Sequence, residues 1–176
     1  MEVFLDFQHK AEQDLKIAKY LMKVTFSLVQ DPKMLLGVLE RIFLAMNHSL
    51  SCIVHYERLF KRIPPFHNTF ESKYMSYKHR VMPRYKIKKE YSETLDSITA
   101  ILIAHKKAPV EFSRPGMFVI CDDDYKMEKI TSEKIRKYIE IASEFHASVS
   151  EITGKHKKLF KTTEDLSGSS IIKRRT

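Results

Sequence analysis

LLGVLERIFLAMNHSLSCIVHYERLFKR, residues 35–62, predicts the long helix around which the rest of the chain is organised. Asp31 and Pro32 precede it, and an acidic N-cap followed by proline is a common helix start. Pro64 and Pro65 follow it and cannot continue a helix. Apolar residues recur on one face at the helical period, namely Leu35, Leu39, Ile42, Met46, Leu50, Ile53 and Phe60. This spacing predicts an amphipathic helix whose apolar face organises the core.

Three further helices are predicted on either side of this one. Residues 4–30 carry one apolar stripe, and the break near Asp31 is short, so the first two helices are expected to form an antiparallel hairpin. Residues 68–81 predict a short helix that stops before Pro83. Residues 85–107 then predict another long helix with its own apolar stripe.

The last part of the chain changes character. Residues 117–130 combine an apolar, β-prone run with a stretch that alternates with period two, which predicts a β-hairpin. A last core helix is predicted from the cap Thr131, with Gly154 as its terminator. The expected fold is therefore mainly α: an up-and-down four-helix bundle with an extra short helix and a small β-hairpin before the last core helix. Residues 1–154 would form this single domain, and residues 155–176 a basic tail, either disordered or partly helical.

The connection between the third long helix and the predicted hairpin is polar. Residues 105–116 are therefore expected to form a loop, and an ion pair between Glu111 and Arg114 would tie it down.

Composition limits the class of protein. The chain has 176 residues, which suggests one domain. Cys52 and Cys121 lie far apart and do not make a disulfide framework, so a reducing, cytoplasmic location is expected. The N-terminus lacks the basic start and apolar run of a signal peptide. No uncharged apolar run approaches the roughly 20 residues of a membrane span, so no membrane contact is expected.

The net charge of +9 is concentrated in two segments. Residues 73–89 contain seven basic and no acidic side chains, and residues 155–176 contain seven basic and two acidic ones. Tyrosines alternate with the cations of the first segment, and tyrosines can stack on exposed bases while lysine and arginine meet phosphates. The predicted contacts to nucleic acid are Arg58, Lys73, Tyr77, Lys78, Arg80, Arg84, Lys86, Lys88 and Lys89. Alternatively, the tyrosines anchor the short helix and the lysines form a solvated surface.

Arg62 and His67 form a candidate catalytic pair at the end of the long helix. An arginine can hold a phosphodiester, and a histidine can act as acid or base near neutral pH. The alternative is that the arginines here only neutralise the carboxyl end of the helix dipole.

His48, Cys52 and His55 share one face of the long helix and have side chains suitable for zinc. One helix offers at most three ligands, and no partner cluster is evident. A half-buried helix edge with hydrogen-bonded side chains explains the pattern equally, and neither metal nor cofactor is expected.

Three segments together resemble the HEPN superfamily, the helical domains named for higher eukaryotes and prokaryotes nucleotide binding. They are AEQDLKIA at residues 11–18, AMNH at residues 45–48 and TSE at residues 131–133, and the resemblance covers about half of the chain. It implies a helical bundle, frequent dimers, RNA cleavage or binding of RNA or nucleotides, and a prokaryotic defence or toxin–antitoxin context. Active members carry an arginine, four to six residues and then a histidine, without a metal. Arg62 and His67 fit that spacing.

These patterns lead to two expectations from different classes. The first is a cytoplasmic helical-bundle protein that binds RNA, a nucleotide or another polyanion and is a candidate metal-independent ribonuclease. The second is a non-catalytic dimerising module. A homodimer is expected in either case.

Overall fold

The structure, a computed structural model, describes residues 2–168, and side chains are described for residues 2–155. It is mainly helical, as predicted. The helices are α1 (Val3–Tyr20), α2 (Phe26–Val29), α3 (Met34–Leu59), α4 (Phe70–Ser76), α5 (Met82–Tyr85), α6 (Lys89–Lys107) and α7 (Ser132–Gly168). Two single π turns, Leu21–Thr25 and Tyr77–Val81, join α1 to α2 and α4 to α5 without breaking the helical path. Within the described residues, no helix is both long and apolar enough to cross a membrane.

The α3 helix is the central element, as its pattern predicts. It packs against α1, α4, α6 and α7, and it also contacts the last strand. Its apolar face is buried, but so are Ser51, Cys52 and Glu57 on the face that the sequence predicts to be polar. The prediction of a two-faced helix is therefore correct only for the first half of α3. In its second half, residues 49–54 and 56–57 are all buried, so neighbouring elements cover most of the helix surface there.

The predicted stop before Pro83 is wrong. The helical path continues to Tyr85, and Pro83 lies in the first turn of α5. Proline carries no N–H, and the π turn Tyr77–Val81, which rearranges the local helical hydrogen bonds, directly precedes α5. Lys86 then ends the path with a left-handed conformation, at a φ of 51°.

The β-structure is a three-stranded antiparallel sheet rather than a hairpin. Its strands are β1 (Val110–Arg114), β2 (Met117–Cys121) and β3 (Met127–Thr131), in the order β1-β2-β3. The register pairs Phe112 with Val119, and Val119 with Lys129. Gly116 makes the tight turn between β1 and β2 with a φ of +75°, which favours glycine.

β1 occupies the region predicted to be a loop. Its charged residues conceal a strand because β1 is an edge strand, and an edge strand keeps much of its surface in water. The predicted pair of Glu111 with Arg114 is also wrong. Glu111 Oε1 lies 2.5 Å from His105 Nδ1 on α6, and Arg114 lies over the ring of Phe112 at 5.2 Å from its centroid.

The predicted start of the last helix is confirmed, and its predicted end is wrong. Thr131 Oγ1 accepts a hydrogen bond of 3.2 Å from the backbone N–H of Lys134, which is an N-cap. The helix passes through Gly154 and continues to Gly168, so glycine is tolerated here in the helical conformation. Part of the predicted tail is thus helical, and residues 169–176 lie outside the described residues.

Candidate functional site

A buried carboxylate of α1 joins an arginine and a histidine of α3. Asp14 of α1 is only 7% exposed. Its Oδ1 lies 3.2 Å from Arg41 Nη1, and its Oδ2 lies 2.9 Å from His48 Nδ1. Arg41 and His48 are seven residues apart, which is close to two helical turns, so both side chains project from the same face of α3 towards α1. We call these three residues the Asp14 cluster.

The Asp14 cluster has the geometry of an oriented histidine. A carboxylate at Nδ1 favours the tautomer with its proton on that nitrogen, which leaves Nε2 as an acceptor. No described residue bonds to Nε2 of His48, and the His48 side chain is 22% exposed. The Arg41 side chain is 44% exposed, so guanidinium nitrogens that Asp14 does not use remain available. A base and an anion-binding group therefore lie side by side.

Aromatic and cationic side chains adjoin this cluster further along α3. The Phe7 ring lies 5.9 Å from the ring of His48 and stacks on His55 at 5.1 Å. Lys73 Nζ of α4 lies 5.4 Å from the centroid of Phe7. Phe66 contacts His55 edge-on at 5.2 Å. We call Phe7, His55, Phe66 and Lys73 the Phe7 cluster.

Lys73 and His55 are held in an environment that disfavours positive charge. Lys73 is 7% exposed, and it makes no ion pair within the described part of the chain. Burial lowers the pKa of the Lys73 ammonium. Burial, and secondly the charge of Lys73, lower the pKa of the His55 imidazole.

Arg62, predicted to be catalytic, is part of a different buried network. Its Nη1 lies 3.0 Å from Glu57 Oε1, and Glu57 is completely buried. Tyr85 donates its hydroxyl to the same Oε1 at 2.6 Å, and Arg84 Nε forms an ion-pair contact of 3.3 Å with Oε2. Burial, and then the bond to Glu57, raise the pKa of Tyr85 to about 12. The guanidinium of Arg62 is therefore used to neutralise Glu57.

His67 is exposed and does not join this network. Its backbone N–H donates to Ser72 Oγ at 3.0 Å, and no contact joins its side chain to Arg62 within residues 2–155. The structure thus does not bring the predicted catalytic pair together around a common group.

The tyrosines of the basic segment anchor it to the core. Tyr77 is 1% exposed and packs edge-on against Phe145. Tyr74 donates its hydroxyl to Asp96 at 2.6 Å. The Tyr77 ring, which was predicted to contact nucleic acid, has no face open to a base, and Lys73 is also buried, at 7% exposed.

Most other cations of the segment have acidic or carbonyl partners. Lys78 Nζ lies 3.5 Å from Asp96, and Lys88 Nζ lies 3.2 Å from Glu144. Lys89 Nζ lies 3.0 Å from Glu93.

Arg58 donates to the carbonyl of Ile63 at 3.5 Å. Arg80 and Lys86 are exposed, and neither has a hydrogen bond or ion pair to another described residue. Of the predicted contact residues, these two are therefore the most available for an anionic partner.

The three side chains of α3 that the sequence offers as possible zinc ligands have different surroundings in the structure. His48 bonds to Asp14, His55 stacks on Phe7, and Cys52 is buried. Among the described residues, no group of three histidine, cysteine, aspartate or glutamate side chains is placed to hold a metal ion.

The sequence did carry a signal for the Asp14 cluster. Asp14 follows Ala11 and precedes Ala18 on the inward stripe of the first helix, where a carboxylate needs a partner if it is buried. Arg41 and His48 recur at the helical period on the facing element. What the sequence lacks is the rotation of α1 against α3, which is needed to place these three side chains together.

Comparisons with known protein-family models, with curated proteins and with solved structures gave no match.

Proposed function

We propose that this chain is a HEPN-like RNA-binding protein that cleaves RNA without a metal, and that His48 and Arg41 are its catalytic pair. The observation that carries the proposal is that one buried carboxylate, that of Asp14, contacts both side chains. This assignment replaces Arg62 and His67, because no contact joins those two side chains within the described residues, whereas Asp14 contacts both Arg41 and His48.

The spacing of the new pair agrees with the family resemblance. Six residues separate Arg41 from His48, which lies within the four to six that active HEPN members carry. The long helices α1, α3, α6 and α7 would provide the up-and-down four-helix bundle that the resemblance implies. The pair would then lie on its central helix, supported from α1.

The proposed chemistry uses the two open ends of the Asp14 cluster. His48 Nε2 takes the proton of a ribose 2′-hydroxyl, and the 2′-oxygen attacks the adjacent phosphorus. Arg41 binds the phosphate oxygens and stabilises the charge that develops on them. The 5′-oxygen leaves with a proton from solvent, which gives a 2′,3′-cyclic phosphate and a 5′-hydroxyl. Asp14 is a positioning residue, which holds the His48 tautomer and stabilises the imidazolium.

Asp14→Asn tests this division of roles. The amide is nearly the same size but loses the charge, and it can present its NH₂ group to His48. We expect cleavage to fall about 100-fold or more, since general base catalysis typically contributes at least that factor. RNA binding, measured separately by fluorescence anisotropy, should change much less. Cleavage by Asp14→Asn at the wild-type rate would exclude the proposed role of the carboxylate.

A second candidate is a non-catalytic dimerising module. Apolar side chains are exposed at the end of the first helical segment: Tyr20 is 60%, Leu28 80% and Val29 59% exposed. Such a patch favours a contact with another protein surface. Sedimentation measures the oligomeric state of the Leu28→Lys variant. Met75→Lys is the control, because Met75 is a 54% exposed methionine on α4. A dimer that only Leu28→Lys dissociates, in a protein that does not cut RNA, would favour this candidate.

A further inference from the structure

Lys73 is an anomaly that the proposed cleavage does not explain. A buried lysine normally has a carboxylate partner, because an unpaired charge in a poorly hydrated site is unfavourable. Lys73 is 7% exposed and has none among the described residues; its ammonium instead faces the ring of Phe7. A cation–π contact compensates only part of the lost hydration. An anion bound beside Lys73 would therefore stabilise its buried ammonium group.

A second unsatisfied group lies beside it. Nε2 of His55 is buried and makes no hydrogen bond in the structure. The Oγ atom of Ser51, one turn earlier on α3, is also buried without a partner. Both side chains can donate to an oxygen, and Phe66 and Phe7 enclose His55 from two directions. Unpaired donors next to an unpaired cation have the chemistry of an oxyanion site.

The position of Lys73 and His55 relative to His48 limits which phosphate of a bound RNA could reach them. Arg41 and His48 are partly exposed on α3, whereas Ser51 and the residues around it are covered. His55 lies seven residues beyond His48, which is about 10 Å along the helix. Because Lys73 and Ser51 are buried, an RNA strand that extends from His48 to Lys73 would have to end there rather than pass through.

We propose that Lys73, with His55, binds the terminal phosphate monoester of an RNA strand whose cleavable bond lies at His48. This inference rests on the proposed function. A monoester carries more negative charge than a diester and presents three free oxygens, which suits one lysine and neighbouring donors. The Phe7 ring contacts a residue of each subsite, with its centroid 5.9 Å from that of His48 and 5.4 Å from Lys73 Nζ. The protein would then select RNA ends rather than internal positions.

The test uses four versions of one short RNA, with a 5′-phosphate, a 5′-hydroxyl, a 3′-phosphate or a 3′-hydroxyl. Binding is measured by anisotropy on His48→Ala protein, so that no cleavage occurs. One phosphorylated end should bind at least about tenfold more tightly than its hydroxyl counterpart, the effect of one charge-assisted contact. Lys73→Met should abolish this preference. Methionine fills the same space without charge, so the variant is expected to fold.

Lys78→Met is the matched control, since Lys78 is five residues away and partly exposed against Asp96. It should retain the preference for the phosphorylated end. Equal binding of all four RNAs by the His48→Ala protein, or a preference that survives Lys73→Met, would overturn the inference. Inorganic phosphate, titrated against the same proteins, shows whether the free anion suffices. The readout is binding. A protein that selects the RNA end but never cuts RNA would therefore contradict the proposed cleavage and leave this inference standing.

Discussion

Two carboxylates, those of Asp14 and Glu57, are buried among different kinds of partner. Glu57 is completely buried and is surrounded by Arg62, Arg84 and Tyr85. Asp14 is also buried, and the charged partners of both carboxylates are partly exposed. The first arrangement neutralises a buried charge, and under the proposed function the second supplies a base and an anion-binding group. The chemistry of the partners distinguishes the two, because Glu57 contacts two arginines and a tyrosine, whereas Asp14 contacts a histidine that can act as a base near neutral pH.

Arg62→Ala should therefore destabilise the protein. Its removal leaves the Glu57 carboxylate with fewer partners, and breaking a buried pair costs about 3 kcal/mol. Urea unfolding measures the free energy of unfolding directly. His67→Ala, at an exposed residue, is the control and should change stability little. An Arg62→Ala protein as stable as wild type would show that Glu57 does not depend on this contact.

Acid should also destabilise the fold through its half-buried histidines. Burial lowers the pKa values of His55 and His146 below the ordinary value of 6.5. The unfolded chain then binds protons more strongly, so stability is complete above pH 6.5 and is lost as the pH falls from 6.5 through the folded-state pKa values. His146→Gln removes one of these groups, so its free energy of unfolding should change less between neutral and acidic pH.

The control for this pH effect is His79→Gln, because the side chain of His79 is exposed. Urea unfolding of the three proteins at several pH values gives the comparison. If His146→Gln and wild type lost stability equally on acidification, the histidine would not be responsible.

At the scale of the element, apolar periodicity and capping residues predicted helix positions correctly where both were strong. The α3 helix follows from its apolar spacing and its flanking prolines, and Thr131 marks the start of α7. Failures occurred where a local signal was ambiguous. Pro83 is compatible with a helix end and with a first helical turn, and Gly154 can end a helix or remain inside it. Packing against neighbouring elements decides such cases, and the sequence does not contain that information in a local form.

The same substitution at two glycines tests the backbone conformations of a helix and of a turn. Gly37 lies inside α3 and Gly116 lies in the β1–β2 turn, and an added Cβ would meet no atom within 4 Å at either position. Gly37→Ala should stabilise the fold by up to about 1 kcal/mol, because alanine is the better helix former. Gly116→Ala should destabilise it by about 1 kcal/mol, because its φ is +75°. Thermal unfolding gives both signs, and the same sign for the two variants would contradict these backbone conformations.

At the scale of the whole molecule, the sequence predicted the fold class better than the site. The basic segment was a sound indication of charge, but it could not show which cations are already paired. Lys88 finds Glu144 on α7, 56 residues away, a contact that no local pattern contains. The Asp14 cluster likewise depends on α1 lying against α3. Only the folded structure shows which cations remain unpaired, as Arg80 and Lys86 do among the described residues.

The unpaired cations predict a salt dependence of RNA binding. The affinity of wild type for single-stranded RNA should fall with salt, with a slope of about 0.7 log units per phosphate contact. Arg80→Ala with Lys86→Ala should reduce that slope by up to two contacts. Lys89→Ala, which removes a lysine paired with Glu93, should reduce it less. Equal slopes for all three proteins would mean that RNA binds elsewhere.

The most direct test of the central claim is the single-turnover cleavage rate of RNA in excess EDTA by wild type, His48→Ala and His67→Ala. We predict that wild type cuts RNA in the presence of the chelator and that His67→Ala cuts it at the same rate. His48→Ala should be slower by about 100-fold or more, with its fold intact by circular dichroism. Undiminished cleavage by His48→Ala, or loss of cleavage in His67→Ala alone, would contradict the assignment of the site to the Asp14 cluster.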